Sequence, residues 1–168
     1  ADGRTLFTAN VPASSVSHLD LVEKKFVRHV RVGPGAEGIA ITPDGREVWA
    51  GSNEAGTITI IDVATGNVVE TLRDLGMPYR ITISPDGRWA MIPDPPNNRV
   101  HVADVTLRRV VGAITGIGSP RGVEIAPDNR TAYVTLGPEN SVLVVDLVEQ
   151  RVIAEHPVGT APDGVGFG

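Results

Sequence analysis

The chain has 168 residues, a formal net charge of −5 and no cysteine. The acidic balance argues against nucleic acid and anionic membrane as partners, and the missing cysteine removes disulfides, Cys–zinc sites and thiol nucleophiles. Stacking platforms for bases or sugars are scarce (Trp 2, Tyr 2, Phe 3), and no apolar run is long enough to span a bilayer.

Read in chain order, the sequence repeats. Asp2-Gly3-Arg4 opens it. Pro43-Asp44-Gly45-Arg46, Pro85-Asp86-Gly87-Arg88 and Pro127-Asp128-Asn129-Arg130 follow at a spacing of 42 residues, and four such periods fill all 168. Repeats of this length built from short β-segments make propellers or solenoids. Units start near residues 2, 44, 86 and 128, and no linker interrupts them, so 1–168 reads as one domain. Phe7, Trp49, Met91 and Tyr133 are in phase and are expected to pack between blades. Asp20, Asp62, Asp104 and Asp146 are in phase at the ends of apolar runs. A residue present in every copy serves the blade, so these aspartates are expected to accept backbone N–H groups at turns.

Each unit predicts four short strands. In the last full unit these are 122–126, 131–136, 141–147 and 152–158, rich in Val, Ile and Thr and bounded by turn residues. The Pro-Asp-Gly/Asn turn joins the inner strand to the second strand. Pro presets φ, Asp bonds nearby backbone, and Gly or Asn accepts positive φ. The third strand is apolar on both faces, as a sheet sandwiched between neighbours requires. The fold class is therefore all-β, a propeller of four-stranded antiparallel blades with four blades per chain. Its ends are out of step with its blades. The chain begins just before a second strand and finishes on a lone inner strand, 164–167. That strand has the phase to complete the sheet begun by 5–32, closing a blade as propellers favour.

Tyr133-Val134-Thr135-Leu136 and the layout Pro-x-Gly-Val/Ile, Pro-Asp-Gly-Arg, Ile-Asp-Val, Gly resemble the YVTN family of β-propeller repeats over the whole chain. The resemblance implies an exported protein, periplasmic or extracellular. Its wider superfamily includes subunits of periplasmic amine dehydrogenases, haem d1 proteins and lactonases. The chain departs from it at Leu136, which replaces Asn, and at Arg80, which stands where other units carry Gly38, Gly122 and Gly164. That family usually closes with seven blades, and this chain supplies four. An Ala-Asp-Gly start suits either a chain whose signal peptide has been removed or a segment of a longer protein.

Chemistry must come from residues that differ between copies. The connections entering the inner strands and those leaving the second strands emerge on one face of a propeller. The former offer Glu37, Tyr79, Arg80, Arg121 and Asp163. The latter offer Asn53, Glu54, Asp94, Asn97, Asn98, Glu139 and Asn140. Asp94-Pro95-Pro96-Asn97-Asn98 reads as a rigid polar turn, with a calcium site of oxygen ligands as the competing reading. Arg80 and Glu124 replace small residues on adjacent inner strands and are expected to form an ion pair lining the channel. His18, His29, His101 and His156 fall at four different phases, so they form no ring. Hydrogen-bonded side chains are the expectation for them, with a haem ligand or metal site as the alternative.

The expected function is a non-catalytic binding scaffold. Its ligand or partner would sit at Glu37, Tyr79, Arg80, Arg121, Glu124, Asp163, Asp94, Asn97 and Asn98, without metal or cofactor. The competing class is an enzyme or cofactor-binding subunit, a metal-dependent hydrolase or an electron-transfer partner. Four blades must each turn through about 90° and eight through about 45°. Small residues on the inner strands suit the gentler turn. The expected assembly is thus a homodimer forming an eight-bladed ring.

Overall fold

A computed structural model describes residues 3–167. The first sheet holds β1 (Thr5–Asn10), β2 (Ser15–Asp20) and β3 (Lys25–Arg31). The second holds β4 (Ala36–Ile41), β5 (Glu47–Ser52), β6 (Thr57–Asp62) and β7 (Val68–Leu72). The third holds β8 (Thr82–Ile83), β9 (Trp89–Asp94), β10 (Arg99–Asp104) and β11 (Arg109–Thr115). The fourth holds β12 (Pro120–Ile125), β13 (Thr131–Leu136), β14 (Ser141–Asp146) and β15 (Arg151–Pro157). Every sheet is an antiparallel meander in sequence order. The chain is an all-β propeller of four blades, as its repeat predicts. Strand bounds in the last unit match the expected ones within about two residues.

The turns form because their residues satisfy the backbone locally. Gly45, Gly87 and Asn129 all have positive φ (73°, 73° and 59°), as the repeat requires. Asp44 Oδ1 accepts the Arg46 N–H at 3.0 Å and the Thr42 hydroxyl at 2.6 Å. Asp86 and Asp128 repeat the Arg N–H contact at Arg88 and Arg130. Asp2 of the first unit lies outside the described residues. Asp20, Asp62, Asp104 and Asp146 each accept backbone N–H groups two or three residues on. Asn129 also accepts the Asp86 N–H at 2.9 Å, which ties the third blade's turn to the fourth's. Asn129→Gly should keep the left-handed geometry and lose that bond, about 1 kcal/mol, together with the exposed 3.3 Å donation from Asn129 Nδ2 to Pro127 O. Asn129→Ala should lose the bond and add about 1 kcal/mol of backbone strain. Urea unfolding of the two variants measures the difference.

Three apolar cores separate the four blades. Val16, Val48, Ala50 and Ile61 fill the first interface, with Phe7 and Ile39 beside them. Trp49, Ile58, Ile60, Ile81, Ala90 and Ile92 fill the second. Met91, Val100, Val102, Val123, Ile125 and Val134 fill the third. In the first three blades the recurring large residue points to the following blade. Trp49 and Met91 are 0% exposed, whereas Phe7 and Tyr133, in the first and last blades, are only partly covered.

The described chain does not close on itself. The first sheet has three strands, and 164–167 carries no strand. Phe167 instead sets its ring edge against Tyr133, 5.6 Å between centroids, on the open face of the fourth blade.

Candidate functional site

Tyr79 and Arg80 lie where the chain enters the third blade, and Arg121 lies on β12 of the fourth. The Tyr79 ring is flanked by two guanidinium groups, Arg80 at 5.2 Å and Arg121 at 5.6 Å from its centroid. Arg80 donates to Asp163 at 2.6 Å. Both partners of that ion pair are about half exposed, so it orients Arg80 more than it stabilises the fold. These four expected site residues are thus brought together. Glu37 belongs to the same mouth but accepts from Asn53 at 2.6 Å within its own blade. Two clefts flank the cluster. One of about 180 Å³ runs between Glu37 and Tyr79–Ile81. The other, about 350 Å³, is lined by Arg121, Pro138, Pro162 and Asp163.

The expected Arg80–Glu124 pair does not form. Glu124 sits two repeat positions deeper along its strand than the level of Arg80, roughly 6.6 Å further in at strand rise. It takes the Thr82 hydroxyl at 3.5 Å instead. Asp163 stands at the mouth, level with Arg121 in the repeat, and wins the pairing.

Asp94, Asn97 and Asn98 form a different object. Pro95–Asn97 is a single 3₁₀ turn, and Asn98 ends it in the left-handed conformation. The Asp94 carboxylate is fully buried. It accepts from the Met77 N–H (3.0 Å), the Asn97 amide (2.9 Å) and Arg99 Nε (2.9 Å). Calcium needs converging oxygens; here N–H donors take the carboxylate, and the calcium reading falls. Burial alone would push its pKa up. The Met77 N–H, Arg99 and Asn97 outweigh that and hold it below the usual carboxylate range. What this carboxylate does is hold the segment that presents Tyr79. Met77 donates to Asp94, and two residues on the Tyr79 N–H bonds Pro93 O at 3.0 Å.

Arg99 is the member that sequence reasoning missed. It stands where the other units carry Ser15, Thr57 and Ser141, and that lone charge among hydroxyls was the available signal. His101 completes the cluster, 3.2 Å from Leu75 O and 3.6 Å from Asp94. Burial first and Arg99 second lower its pKa, keeping the ring neutral near pH 7. His18 is likewise lowered, by burial and then Arg28, and stacks on Phe7 at 4.5 Å. His29 shares a 3.1 Å contact with the Ser17 hydroxyl, and His156 is exposed on β15. All four imidazoles sit on third or outer strands. Among the described residues, no group of three His, Cys, Asp or Glu is placed to hold a metal.

No curated protein matches the chain. Hydrazine synthase from Kuenenia stuttgartiensis is a similar solved structure, with 31% identity and a TM-score of 0.86, over 92% of this chain and 46% of that one. The chain therefore spans about half the length of that neighbour. The family model described as the cytochrome D1 heme domain matches residues 1–110, well over half of the sequence. By that match, the chain belongs to the cytochrome D1 heme domain family.

Proposed function

We propose that the chain is a cofactor-binding propeller subunit that holds an anionic, carboxylate-bearing ring at the channel mouth. Family membership moves the reading from a plain scaffold to this class. The observation that carries it is the Tyr79 ring between Arg80 and Arg121. Guanidinium groups make strong, often bidentate hydrogen bonds to carboxylates. Both guanidinium groups lie over the Tyr79 ring, which holds them close together by cation–π contact.

The family implies a haem, and the side chains fit part of one. Arg80 and Arg121 suit its carboxylates, and Tyr79 keeps the two guanidinium groups together. An imidazole for its iron is not available at this mouth, because the four histidines lie away from the inner strands. A bound haem would supply redox and ligand-binding chemistry at its iron. This chain's residues do the holding: the arginines bind, Tyr79 orients, Asp163 steers Arg80, and buried Asp94 fixes the segment carrying Tyr79. The same reading puts the protein in the periplasm or outside the cell, in line with the exported character of the propellers it resembles. No helix among the described residues is long and apolar enough to cross a membrane.

Titration with haemin and with iron-free protoporphyrin IX tests the reading by absorbance and fluorescence. Saturable binding of both is expected. Arg80→Gln with Arg121→Gln should weaken it at least about tenfold, or about 1.4 kcal/mol. The dimethyl ester of protoporphyrin should bind no better than the double variant binds the free acid. Absent saturation, or equal affinity for acid and ester, would return the chain to the scaffold class.

A further inference from the structure

We infer that His101 is a proton-sensitive positioning residue for the mouth: in mild acid its ring releases the segment 75–81 that carries Tyr79 and Arg80, and the mouth then holds a ligand less well. Weaker ligand binding follows only if the mouth is the binding site proposed above; release of the segment does not depend on it.

The segment is loosely built into its blade. The inner strand of the third blade, β8, is two residues long, where β4 and β12 have six. Residues 78–81 thus lie outside the ladder that holds their counterparts 36–39 and 120–123. Single bonds from the third blade hold the segment instead. His101 Nε2 lies 3.2 Å from Leu75 O, Asp94 takes the Met77 N–H at 3.0 Å, and Pro93 O takes the Tyr79 N–H at 3.0 Å. The second blade adds Gly56 O, which accepts the Leu75 N–H at 3.0 Å. A stretch with so little ladder opens locally, before the whole fold does. The holds fall on alternate residues, Leu75, Met77 and Tyr79, so a link lost at either of the first two loosens the third.

Only this blade has the device. Ser17, Thr59 and Leu143 stand at the position of His101 in the other units. A carbonyl oxygen only accepts, so the contact to Leu75 O fixes the neutral ring as its Nε2–H tautomer. A further proton goes to Nδ1 and puts a full charge on a residue that is 5% exposed. From its own strand that charge faces Arg99, and from β9 it faces Asp94. The second blade brings apolar Ile58 and Ile60 to this interface, and the charged residues of the connector, Arg73 and Asp74, are exposed. Asp94 Oδ2 is 3.6 Å from Nε2, but the carboxylate already accepts from Met77, Asn97 and Arg99. An imidazolium that turns to Asp94 leaves Leu75 O and competes with the Met77 N–H. One that turns to water leaves Leu75 O as well. Either move frees the segment.

The sign follows from the surroundings of the ring. Burial first and Arg99 second lower the His101 pKa from 6.5, so the docked segment holds the proton less tightly than the released one. Docking is complete above about 6.5 and is lost as pH falls from there through the lower docked value.

Hydrogen exchange of backbone amides, read by NMR on the 168-residue chain, tests the release. Rates are taken relative to those of an unstructured chain at the same pH. At about pH 7.5, Met77 and Tyr79 should exchange faster than the β6 amides, through an opening smaller than the whole fold. Between about pH 7.5 and 5.5 their protection should fall at least about threefold and at most about tenfold, the limit for one linked group over the unit below its free value. His101→Gln keeps a donor for Leu75 O and has no proton to gain, so its protection should stay level. Protoporphyrin IX should dissociate faster in acid, and more steeply so from the natural chain than from His101→Gln. Porphyrin that never saturates would sink the reading of the mouth and leave the exchange result to decide on His101. Saturable porphyrin together with exchange that ignores pH would overturn the role of His101 and leave the mouth intact. So would Met77 and Tyr79 as protected as β6, or an equal loss in His101→Gln. Equally steep porphyrin dissociation from both chains would overturn the ligand half alone. Should His101→Gln misfold by circular dichroism, the ring resonances of the natural chain decide. His101 should then titrate below 6.5, with protection levelling off beneath that midpoint, and a ring that titrates at or above 6.5 would overturn the inference.

Discussion

Trp49→Ala should lower the stability of the protein by about 3–5 kcal/mol, the usual cost of emptying a large buried aromatic site. Trp49 is fully buried between the second and third blades, against Ile58, Ile60, Ala90 and Ile92. Its indole N–H donates to Glu47 at 3.1 Å, and Glu47 in turn holds Arg108 of the third blade at 2.6 Å. The cavity would open inside an interface that joins blades, so neighbours cannot collapse into it without sliding whole sheets. Trp49→Met should cost less, because methionine fills the same position at Met91. Equilibrium unfolding in urea measures both. A loss below about 1 kcal/mol for the alanine variant would mean that the indole does not hold the blades together.

Asp94→Ala should cost about 2–4 kcal/mol, although it removes a single carboxylate. Its removal leaves the Met77 N–H and the Asn97 amide without their acceptor, and Arg99 without its partner. Breaking a buried pair costs about 3–5 kcal/mol. Arg99 is one-third exposed, and water recovers part of that loss. The sign of the pH dependence follows from the lowered carboxylate. The folded state holds the proton less tightly than the unfolded chain. The contribution is therefore complete above the ordinary value near 3.8 and is lost as pH falls through the lower folded value. Asp20, Asp44, Asp62, Asp128 and Asp146 are lowered too, chiefly by hydrogen bonds at their turns. The readout is thus the difference between natural chain and variant. That difference should be constant above about pH 5 and shrink below pH 4. A gap that persists unchanged into acid would show that the charge of Asp94 contributes nothing.

Features that depend on a residue and its near neighbours were legible in the sequence. Positive φ at Gly45, Gly87 and Asn129 follows from residue type alone, because only Gly and Asn adopt it cheaply. The aspartate turn bonds span two or three residues and need no tertiary knowledge. The apolar third strands announced burial on both faces, and β6 is buried along nearly all its length. The mouth was legible as a set of residues but not as a set of contacts. Arg80 was matched to Glu124 because both break the repeat. Depth along the strand decided for Asp163; the repeat phase carries that depth, with Glu124 two positions further in than Arg80 and Asp163 level with Arg121, but it does not say which side chains meet between blades. Asp94 reads in sequence as part of a rigid polar surface turn at the binding face, whereas its carboxylate is fully buried. Its burial depends on Met77 and Arg99, which reach it from two other parts of the third blade.

The sequence by itself determined the unit, its turns, the strand order and the number of blades, since a 42-residue period and local backbone chemistry leave little else possible. Only the tertiary structure decided which charges meet at the mouth, and that Tyr79 lies between two arginines. It also decided that the four blades of the described residues do not close on one another. The physical reason is that side-chain pairing and ring closure depend on the angle and depth between successive sheets. Those are set by the packing of whole blades, through residues such as Trp49, Met91 and Gly38, and not by any short stretch of chain.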